Sequence, residues 1–361
     1  MIKDAADLAN LKVLQLIHEN TAAATMFGID NKIENDQTMN VLFYNMGAMD
    51  TEVSVVRYSM YNVSEKKSSP YIEILSEASD KEMGASDLQL KLVDILVNKF
   101  DSMKEREGKP SVRENVRAMM RLNKDSVKIM EILSANKFAS VKIPELLDYV
   151  TLQFNLEREE FEKANQDLFD KIMRPVDEAL TKAGLTVEDI DQIELLGGGV
   201  RIPKVAEILQ AGVKKELGAH LNGDEAMCFG SAFIASNSSG NFKVKQVFLT
   251  QNVPHDVHMR ISPLEAKDAL TLDEQKAEGV EEADIIEYNQ EYKLFNTSDY
   301  IGKSKGLNLN YNKNMKIDLF KKDEDGNEII LDTFTLTDVE YQLKAEIDSQ
   351  KNLKEREKKK S

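Results

Sequence analysis

The nine residues Leu-Leu-Gly-Gly-Gly-Val-Arg-Ile-Pro at positions 195–203 join an apolar strand to a helix through three consecutive glycines. The strand is predicted to end at Leu196, and Pro203 suits the first position of a helix, where its missing N–H costs nothing. Apolar residues at helical spacing predict that this helix runs to Leu217 and stops before Gly218. A glycine turn at a helix start lets the backbone approach a ligand, and free N–H groups there favour an anion.

The three glycines, Gly197, Gly198 and Gly199, allow two interpretations. They are equally suited to a tight strand-to-helix turn that binds no ligand, because glycine motifs have many false positives. Arg201 favours a binding site, since a guanidinium two residues beyond the last glycine can stack on a planar ring or meet a phosphate. The glycines alone leave both interpretations open.

The composition is that of a globular protein with more than one domain. The chain has 361 residues, of which 42% are hydrophobic and 30% are charged. A formal net charge of -16 argues against nucleic acid as a partner, because phosphate binding needs basic patches. Cys228 is the only cysteine, which excludes an internal disulfide and a cysteine zinc site. The sequence shows no apolar run of membrane-spanning length, no signal-peptide pattern and no terminal retention tetrapeptide.

The first two thirds of the sequence predict a mixture of strands and helices. Residues 5–28 have the pattern of two helices with a short strand, Val13–Ile17, between them. Val41–Tyr44 and Val53–Tyr58 predict a hairpin around the tight turn Asn45–Thr51.

Helical patterns dominate after a further predicted strand at residues 72–75. The predicted helical segments are residues 86–105, 112–135 and 156–183, a short capped helix at Thr186–Asp189, and a small-residue helix through Gly230. Pro175 lies inside the apolar stripe of the third segment and predicts a kink there.

The pattern changes at Ser236–Asn241, a turn-rich segment that predicts the end of the helical part. Beyond it, alternation at period two predicts strands with one buried face. The predicted strands are residues 257–261, 307–311, 315–319 and 329–334, with Asp325–Gly326 as a hairpin turn. Asp273–Glu287 contains seven acids and one lysine and is interpreted as a solvated acidic loop.

These patterns predict a chain of four segments. They are a partial α/β domain at residues 1–240, a linker at 241–250, an all-β domain at 251–345 and a charged tail at 346–361.

Several segments resemble the seventy-kilodalton heat-shock chaperone family. Ile17–Ala24 is similar to the family's Asn-Glu-Pro-Thr-Ala-Ala-Ala segment, and Asn45–Thr51 lies where the family has its second phosphate hairpin. The glycine turn, Arg201 and Asn222–Ala226 then follow in the family's order.

Two further segments narrow the resemblance. Ser111–Met119 and Leu133–Asn136 are closer to the family's large endoplasmic-reticulum branch, and the likeness covers about residues 5–245. The resemblance implies an α/β actin-like ATPase domain, partial here, followed by an all-β sandwich. It also implies ATP or ADP with magnesium as cofactor, unfolded polypeptides and a conventional heat-shock 70 chaperone as partners, and a location in the endoplasmic reticulum lumen.

The resemblance also implies which residues would bind the nucleotide. They are Gly47, Gly197, Gly198, Gly199, Arg201 and Asp224. Glu19 is the one candidate for a catalytic role, although an acid at a helix start can equally favour the helix dipole. No residue is predicted to be a metal ligand.

The sequence departs from the family pattern at its ends. It begins at a helix that the family places midway through its first lobe, so the first phosphate hairpin and its lysine have no counterpart. The family's helical lid is absent or truncated after residue 345. We expect a fragment, an incomplete gene model or a degenerate paralogue.

The second phosphate hairpin is altered as well. Asn45 replaces an aspartate that helps to hold the magnesium shell, Met49 replaces a glycine, and Asp50 stands near the position of a threonine. A carboxylate about 4 Å from a phosphate oxygen costs about 1 kcal/mol in water and about 4 kcal/mol at an effective dielectric of 20. We therefore expect weak or no ATP hydrolysis.

The residues predicted to contact the adenosine follow the family pattern only in part. The helix that gives the family a Glu-x-x-Lys-Arg wall reads Val127–Glu131 here, and we expect Val127 and Met130 to face the core. The fifteen methionines are assigned mainly to core filling rather than to a client-binding surface. The histidines are not expected to form a metal pair on a helix face, and His255 and His258 are assigned to surface positions. The four histidines are His18, His220, His255 and His258.

Two functions remain open, so the sequence does not decide whether the chain is an enzyme. The first is an ATP-binding chaperone of the heat-shock 70/110 type that assists protein folding in the endoplasmic reticulum. The second is a non-enzymatic co-chaperone, or the remnant of a nucleotide exchange factor, acting by protein–protein contact. An actin-like sugar or acetate kinase is disfavoured, because those enzymes do not carry a β-rich tail.

Overall fold

The structure is a computed structural model in which the chain forms two compact units, Met1–Thr250 and Gln251–Ser361. It describes residues 2–31, 33–34, 37–64, 67–218, 220–223, 225–239, 242–264, 291–297, 299–306, 314–323 and 325–339. Four predictions fall outside the described residues: the strand at 307–311, the acidic loop at 273–287, the charged tail and the nucleotide contact of Asp224. In the described ranges, no helix is both long enough and apolar enough to cross a bilayer.

The first unit alternates helices with strands. Its helices are α1 (Ile2–Leu8), α2 (Glu19–Asp30), α3 (Ala85–Asp101), α4 (Val116–Ala135), α5 (Arg158–Ala164), α6 (Gln166–Phe169), α7 (Arg174–Ala183), α8 (Pro203–Val213) and α9 (Ala226–Ser239). Its strands are β1 (Met39–Met46), β2 (Thr51–Ser64), β3 (Lys67–Asp80), β4 (Phe138–Leu147), β5 (Val150–Glu157), β6 (Gln192–Leu196), β7 (Leu217–Gly218) and β8 (Phe248–Gln251).

Six of these strands form the central sheet, in the order β7-β6-β1-β2-β3-β8. β1 pairs with β2 in the predicted antiparallel hairpin, with Met46 opposite Thr51. β1 also pairs in parallel with β6, with Asn45 opposite Leu196. The carboxyl ends of β1 and β6 therefore lie side by side, which brings the hairpin turn next to the glycine turn.

Both faces of the sheet are covered by helices. Alternate residues of β1 enter two different apolar clusters, Leu42 and Tyr44 into one and Val41 and Phe43 into the other. The second cluster includes Phe27 of α2, whose ring meets Phe43 edge-on at 5.7 Å between centroids. A sheet with helices packed on both faces is the α/β architecture that the sequence predicts.

Two local predictions in the first unit are wrong because tertiary packing is missing or different. The predicted strand Val13–Ile17 is not a strand, and no described strand lies beside it to complete a ladder. The segment 156–183 begins as the end of β5 and then forms three short helices instead of one kinked helix. Pro175 occupies the start of α7, where it removes no helical hydrogen bond.

Two helices also end at residues other than those predicted from the sequence. α8 stops at Val213 because Lys214 adopts a left-handed conformation with φ 52°, and Leu217 then joins the sheet in β7 instead of extending the helix. α9 continues to Ser239, into the predicted breaker. The Ser236 hydroxyl donates a 2.9 Å hydrogen bond to the carbonyl of Ala232 in its own helix, so this serine is accommodated within the helix.

The second unit contains one antiparallel sheet among its described residues. Its strands are β9 (Val257–Pro263), β10 (Glu291–Phe295), β11 (Met315–Lys322) and β12 (Glu328–Leu336), in the order β10-β9-β11-β12. The hairpin at Asp325–Gly326 is confirmed, with Gly326 at φ 84°. The sandwich arrangement itself stays a prediction.

The two faces of this sheet differ. Met259, Ile261 and Met315 form a small apolar cluster. The other face carries charged residues around Phe320, whose buried ring stacks on His258 at 5.5 Å between centroids. The predicted surface position of His258 is therefore wrong: it is 9% exposed, because alternation along β9 turns it onto this ring.

Candidate functional site

The glycine turn packs directly on the end of β1. Gly197 has φ 80°, and a Cβ atom there would lie 2.3 Å from the carbonyl oxygen of Met46. A Cβ atom on Gly199 would lie 2.5 Å from Cγ of the same methionine. Packing therefore accounts for two of the three glycines without any ligand.

Gly198 is the exception. It is exposed, and a Cβ atom there would have no neighbour within 4 Å. Packing does not require a glycine at this position, so Gly198 is where a ligand could approach the backbone most closely. Arg201 lies three residues further on, exposed at the end of the 3-10 turn Gly199–Arg201 that precedes α8.

The hairpin turn at residues 47–50 is fastened to the start of α3. The backbone N–H groups of Ala85 and Ser86 donate to the carbonyls of Gly47 and Ala48 at 3.0 and 2.8 Å. A Cβ atom on Gly84 would lie 2.3 Å from the Ala48 carbonyl oxygen, so these backbones touch. The first N–H groups of α3 are thus used by the hairpin.

Glu19, the first residue of α2, reaches the end of β1. The side-chain amide of Asn45 donates a long hydrogen bond of 3.4 Å to its carboxylate. The amide oxygen of Asn45 faces the glycine turn, at 2.7 Å from where a Gly197 Cβ atom would stand. Asn45 thus lies between the only catalytic candidate and the glycine turn.

Two more carboxylates share this end of the hairpin. Glu52 lies opposite Asn45 in the strand register, and burial raises its pKa, with further increases from the negative charges of Asp50 and Glu19. Asp50 closes the turn, its carbonyl accepting the Gly47 N–H at 2.9 Å. We call Glu19, Asp50 and Glu52 the hairpin carboxylates. Met49, at the tip of the turn, is 74% exposed.

The segment after β7 lies against the glycine turn and is held by a buried acid that the sequence reasoning missed. Glu194 is fully buried in β6, accepts the backbone N–H of His220 at 3.1 Å, and lies 2.6 Å from His220 Nδ1. A Cβ atom on Gly223 would come 3.6 Å from the backbone nitrogen of Gly197. The available signal was an acid inside the apolar run Ile193–Leu196.

Two residues of α4, Val127 and Met130, were predicted to face the core, and they differ in outcome. Met130 packs against the main apolar cluster, and with Ser134 and Ile202 it lines a cavity of about 10 Å³, room for about one water molecule. Val127 is 39% exposed, so its predicted core-facing position is wrong. The buried stripe of α4 runs through Ser126 and Ile129 and leaves Val127 to one side.

The residues fit the two ends of a nucleotide unequally. Gly198 and Arg201 leave an open backbone and an exposed guanidinium for a nucleoside. The hairpin carboxylates do not suit a polyphosphate, because like charges repel strongly wherever solvent is displaced. Among the described residues, no three His, Cys, Asp or Glu side chains are placed to hold a metal ion.

Comparison with known proteins places the fold in a family. The family model for Hsp70 protein matches residues 1–296. Hypoxia up-regulated protein 1 of Danio rerio is 36% identical over 246 residues, which cover 68% of this chain and 25% of that protein. The Homo sapiens protein of that name is 34% identical over 258 residues, covering 71% and 26%, and that of Xenopus tropicalis is 37% identical over 246 residues, covering 68% and 38%.

These matches confirm the resemblance seen in the sequence and the actin-like α/β fold of the first unit. The chain spans about a quarter of the length of the Danio rerio and Homo sapiens relatives, and somewhat more of the Xenopus tropicalis relative.

Proposed function

Because the chain belongs to the Hsp70 family, we propose that it is a nucleotide-binding chaperone component with little or no ATPase activity. The observation that carries this proposal is the parallel pairing of β1 with β6, which sets the glycine turn beside the hairpin. Chains of this fold type bind ligands at the carboxyl ends of parallel strands.

An adenine nucleotide would lie on the glycine turn. Gly198 would let its sugar approach the backbone, and Arg201 would stack on the base or meet a phosphate. Gly47 and Asp224 complete the proposed contacts. The bound group would supply a transferable phosphoryl, and this chain's residues would orient and partly desolvate it.

Weak hydrolysis follows from the residues at the hairpin. Phosphoryl transfer needs positive charge and donors around the transferring group, and the hairpin offers three carboxylates instead. Glu19, the candidate catalytic acid, already accepts a hydrogen bond from Asn45. We therefore assign no catalytic residue with a defined step.

The wider function is drawn from the family. We propose that residues 1–240 form the nucleotide-binding domain and that residues 251–345 form a β-sandwich that binds unfolded polypeptide, joined by a linker at 241–250. We place the protein among the stress-related chaperones, because its relatives are named hypoxia up-regulated protein 1. A location in the endoplasmic reticulum lumen is proposed from the resemblance of Ser111–Met119 and Leu133–Asn136 to that branch of the family.

Calorimetric titration of the purified chain with ADP tests the nucleotide site. Arg201→Ala should weaken binding about tenfold, as expected for loss of a stacked or phosphate-bound guanidinium. Arg117→Ala, which removes an exposed arginine from α4, should leave binding unchanged. Equal affinities for the original chain and Arg201→Ala would refute the site assignment, and absence of ADP binding would refute nucleotide binding.

The hairpin carboxylates also favour a second candidate, a non-enzymatic co-chaperone or exchange-factor remnant that acts by contact with a conventional Hsp70 chaperone. This candidate predicts faster nucleotide release from that chaperone when the protein is added. Release of a fluorescent nucleotide at equal rates with and without the protein would exclude it.

A further inference from the structure

Asn45 connects the glycine turn with the hairpin carboxylates. Its amide touches the Gly197 position on one side and Glu19 on the other. A phosphate chain that extends from Gly198 toward the hairpin would therefore approach these carboxylates.

The Asn45–Glu19 contact also removes the need for a cation at this end of the site. Two carboxylates 3.4 Å apart would repel each other, so that one of them would bind a proton or a cation would have to lie between them. An amide at position 45 donates an N–H to Glu19 instead. The pair is thus satisfied by the protein alone.

The Glu52 carboxyl lies mainly among other acids. Among the described groups that affect the Glu52 carboxyl, three are acids, and His18 is the one basic group that opposes them. The resulting negative potential falls on the part of a ligand that carries its charge, whereas the glycine turn itself bears no side chains.

We propose that this site selects a nucleoside over its polyphosphate, so that affinity falls in the order adenosine, AMP, ADP, ATP. The inference rests on the proposed function, because it takes the glycine turn as the seat of an adenine ligand, and of the two contacts proposed for Arg201 it takes stacking on the base. Each added phosphate brings one or more negative charges closer to the hairpin carboxylates, while the contacts of the base and sugar stay the same.

The test is a set of calorimetric titrations of the full chain with adenosine, AMP, ADP and ATP, in EDTA and at low salt. Adenosine should bind about tenfold more tightly than ATP, which is the scale of one close uncompensated charge. Raising the salt from about 0.05 to about 0.5 M should narrow this ratio by strengthening ATP binding only, since salt screens repulsion at this range.

Two variants test whether the hairpin carboxylates cause the weaker binding of ATP. Asp50→Asn should tighten ATP binding about threefold and leave adenosine binding unchanged, and Glu52→Gln should act in the same direction. Glu105→Gln is the matched control: it removes one charge beyond the far end of α3, whose 17 residues span about 25 Å, well outside the screening length. It should change neither affinity.

The outcomes separate the two proposals. If ATP binds as tightly as adenosine or more tightly, the nucleoside preference is wrong and the nucleotide-binding function stands. If neither adenosine nor any of its phosphates binds, both proposals are wrong. If the order holds but Asp50→Asn and Glu52→Gln leave it unchanged, the preference does not come from the hairpin and the inference fails.

Discussion

Each unit of this chain is stabilised internally by a different kind of contact. In the first unit, several glycines let backbone meet backbone: a Cβ atom on Gly230 would stand 1.9 Å from the carbonyl oxygen of Ala22. In the second unit, the described glycines Gly302, Gly306 and Gly326 have nothing within 4 Å of such a position. Close backbone packing is thus a property of the first unit.

The charges of the second unit's sheet differ from those at the hairpin of the first unit. The second unit's sheet pairs its charges across strands: Arg260 forms a two-point contact with Glu328, one bond being 2.9 Å, and lies over the Phe320 ring. In the first unit, Glu52 is crowded by acids. Elsewhere the first unit pairs its charges too, for example Arg106 with Asp148. The contrast is therefore between the sheet of the second unit, where opposite charges attract, and the hairpin of the first unit, where like charges repel at the place where a ligand is proposed.

The largest expected effect concerns the packing of α2 against α9. Gly230→Ala should destabilise the first unit by about 3 kcal/mol or more, because the new methyl group meets a backbone carbonyl that cannot move aside. The measurement is urea unfolding of the full chain, followed by circular dichroism.

Gly212→Ala is the matched control for this prediction. It also adds a methyl group to a glycine within a helix, but its nearest neighbours are the Sδ and Cε atoms at the end of Met173, which can rotate away. It should be neutral or slightly stabilising. If the two variants were equally destabilised, contact with a backbone carbonyl would be no more costly than contact with a side chain. The argument that close backbone packing distinguishes the first unit from the second would then fail.

The next effect separates packing from ligand contact within the glycine turn. Gly197→Ala should cost about 2 kcal/mol, because its φ of 80° disfavours a side chain and the Met46 carbonyl blocks it. Gly198→Ala should leave the unfolding free energy unchanged, since its methyl group enters open space, and should weaken ADP binding. Loss of stability in Gly198→Ala would remove the argument that this glycine is reserved for a ligand.

A smaller effect is expected in the charged sheet. Contact with Arg260 lowers the pKa of Glu328 below its ordinary value of 4.5, so the folded state gains stability above that pH and loses it as the pH falls further. In Glu328→Gln, amides of β11 and β12 should exchange about threefold faster at pH 7. The difference from the original chain should shrink as the pH drops below 4.5, as seen by hydrogen exchange.

Asp325→Asn provides the control for that experiment, because it removes a carboxylate from the same hairpin at a turn position where Asn is also favoured. Its exchange rates should match those of the original chain. Faster exchange in both variants would mean that total charge, and not the Arg260 contact, stabilises the sheet.

The smallest effect has the opposite sign. The pKa of Glu52 is raised above 4.5, so its ionisation destabilises the fold as the pH rises through the raised pKa. Glu52→Gln should stabilise the first unit at pH 7 by about 0.5 kcal/mol or less, since the carboxyl is half-buried and partly screened. The gain should vanish at low pH, where the acid is protonated; a loss of stability at pH 7 would contradict the assignment of repulsion.

Sequence patterns predicted the central elements of the first unit well. The hairpin, the glycine turn and the capped turn at Thr186 depend on residues that act locally, through φ preferences and short hydrogen bonds. Predictions failed where neighbours far along the chain decide. The end of α8 was misplaced because Leu217 pairs with β6, and the strand predicted at Val13–Ile17 has no described partner.

The site shows the same division. The glycines could be located from the sequence, but the reason for Gly197 and Gly199 could not, because Met46 is about 150 residues away in the chain and is brought there by parallel pairing. Glu194 was overlooked because an acid within an apolar strand is interpretable only when its partner, His220, is seen. The resemblance carried the nucleotide assignment, and local patterns alone did not.

The fastening of α3 to the hairpin has a mechanical consequence. Because Ala85 and Ser86 are bonded to the turn itself, the turn cannot tilt without carrying the helix with it. α3 is about 25 Å long, so if it moves as a rigid body, a tilt of about 10° at the turn displaces its distal end by about 4 Å. If a bound ligand tilted the turn, the movement would therefore be larger at the distal end of α3, where a molecule that touches only that end could sense it.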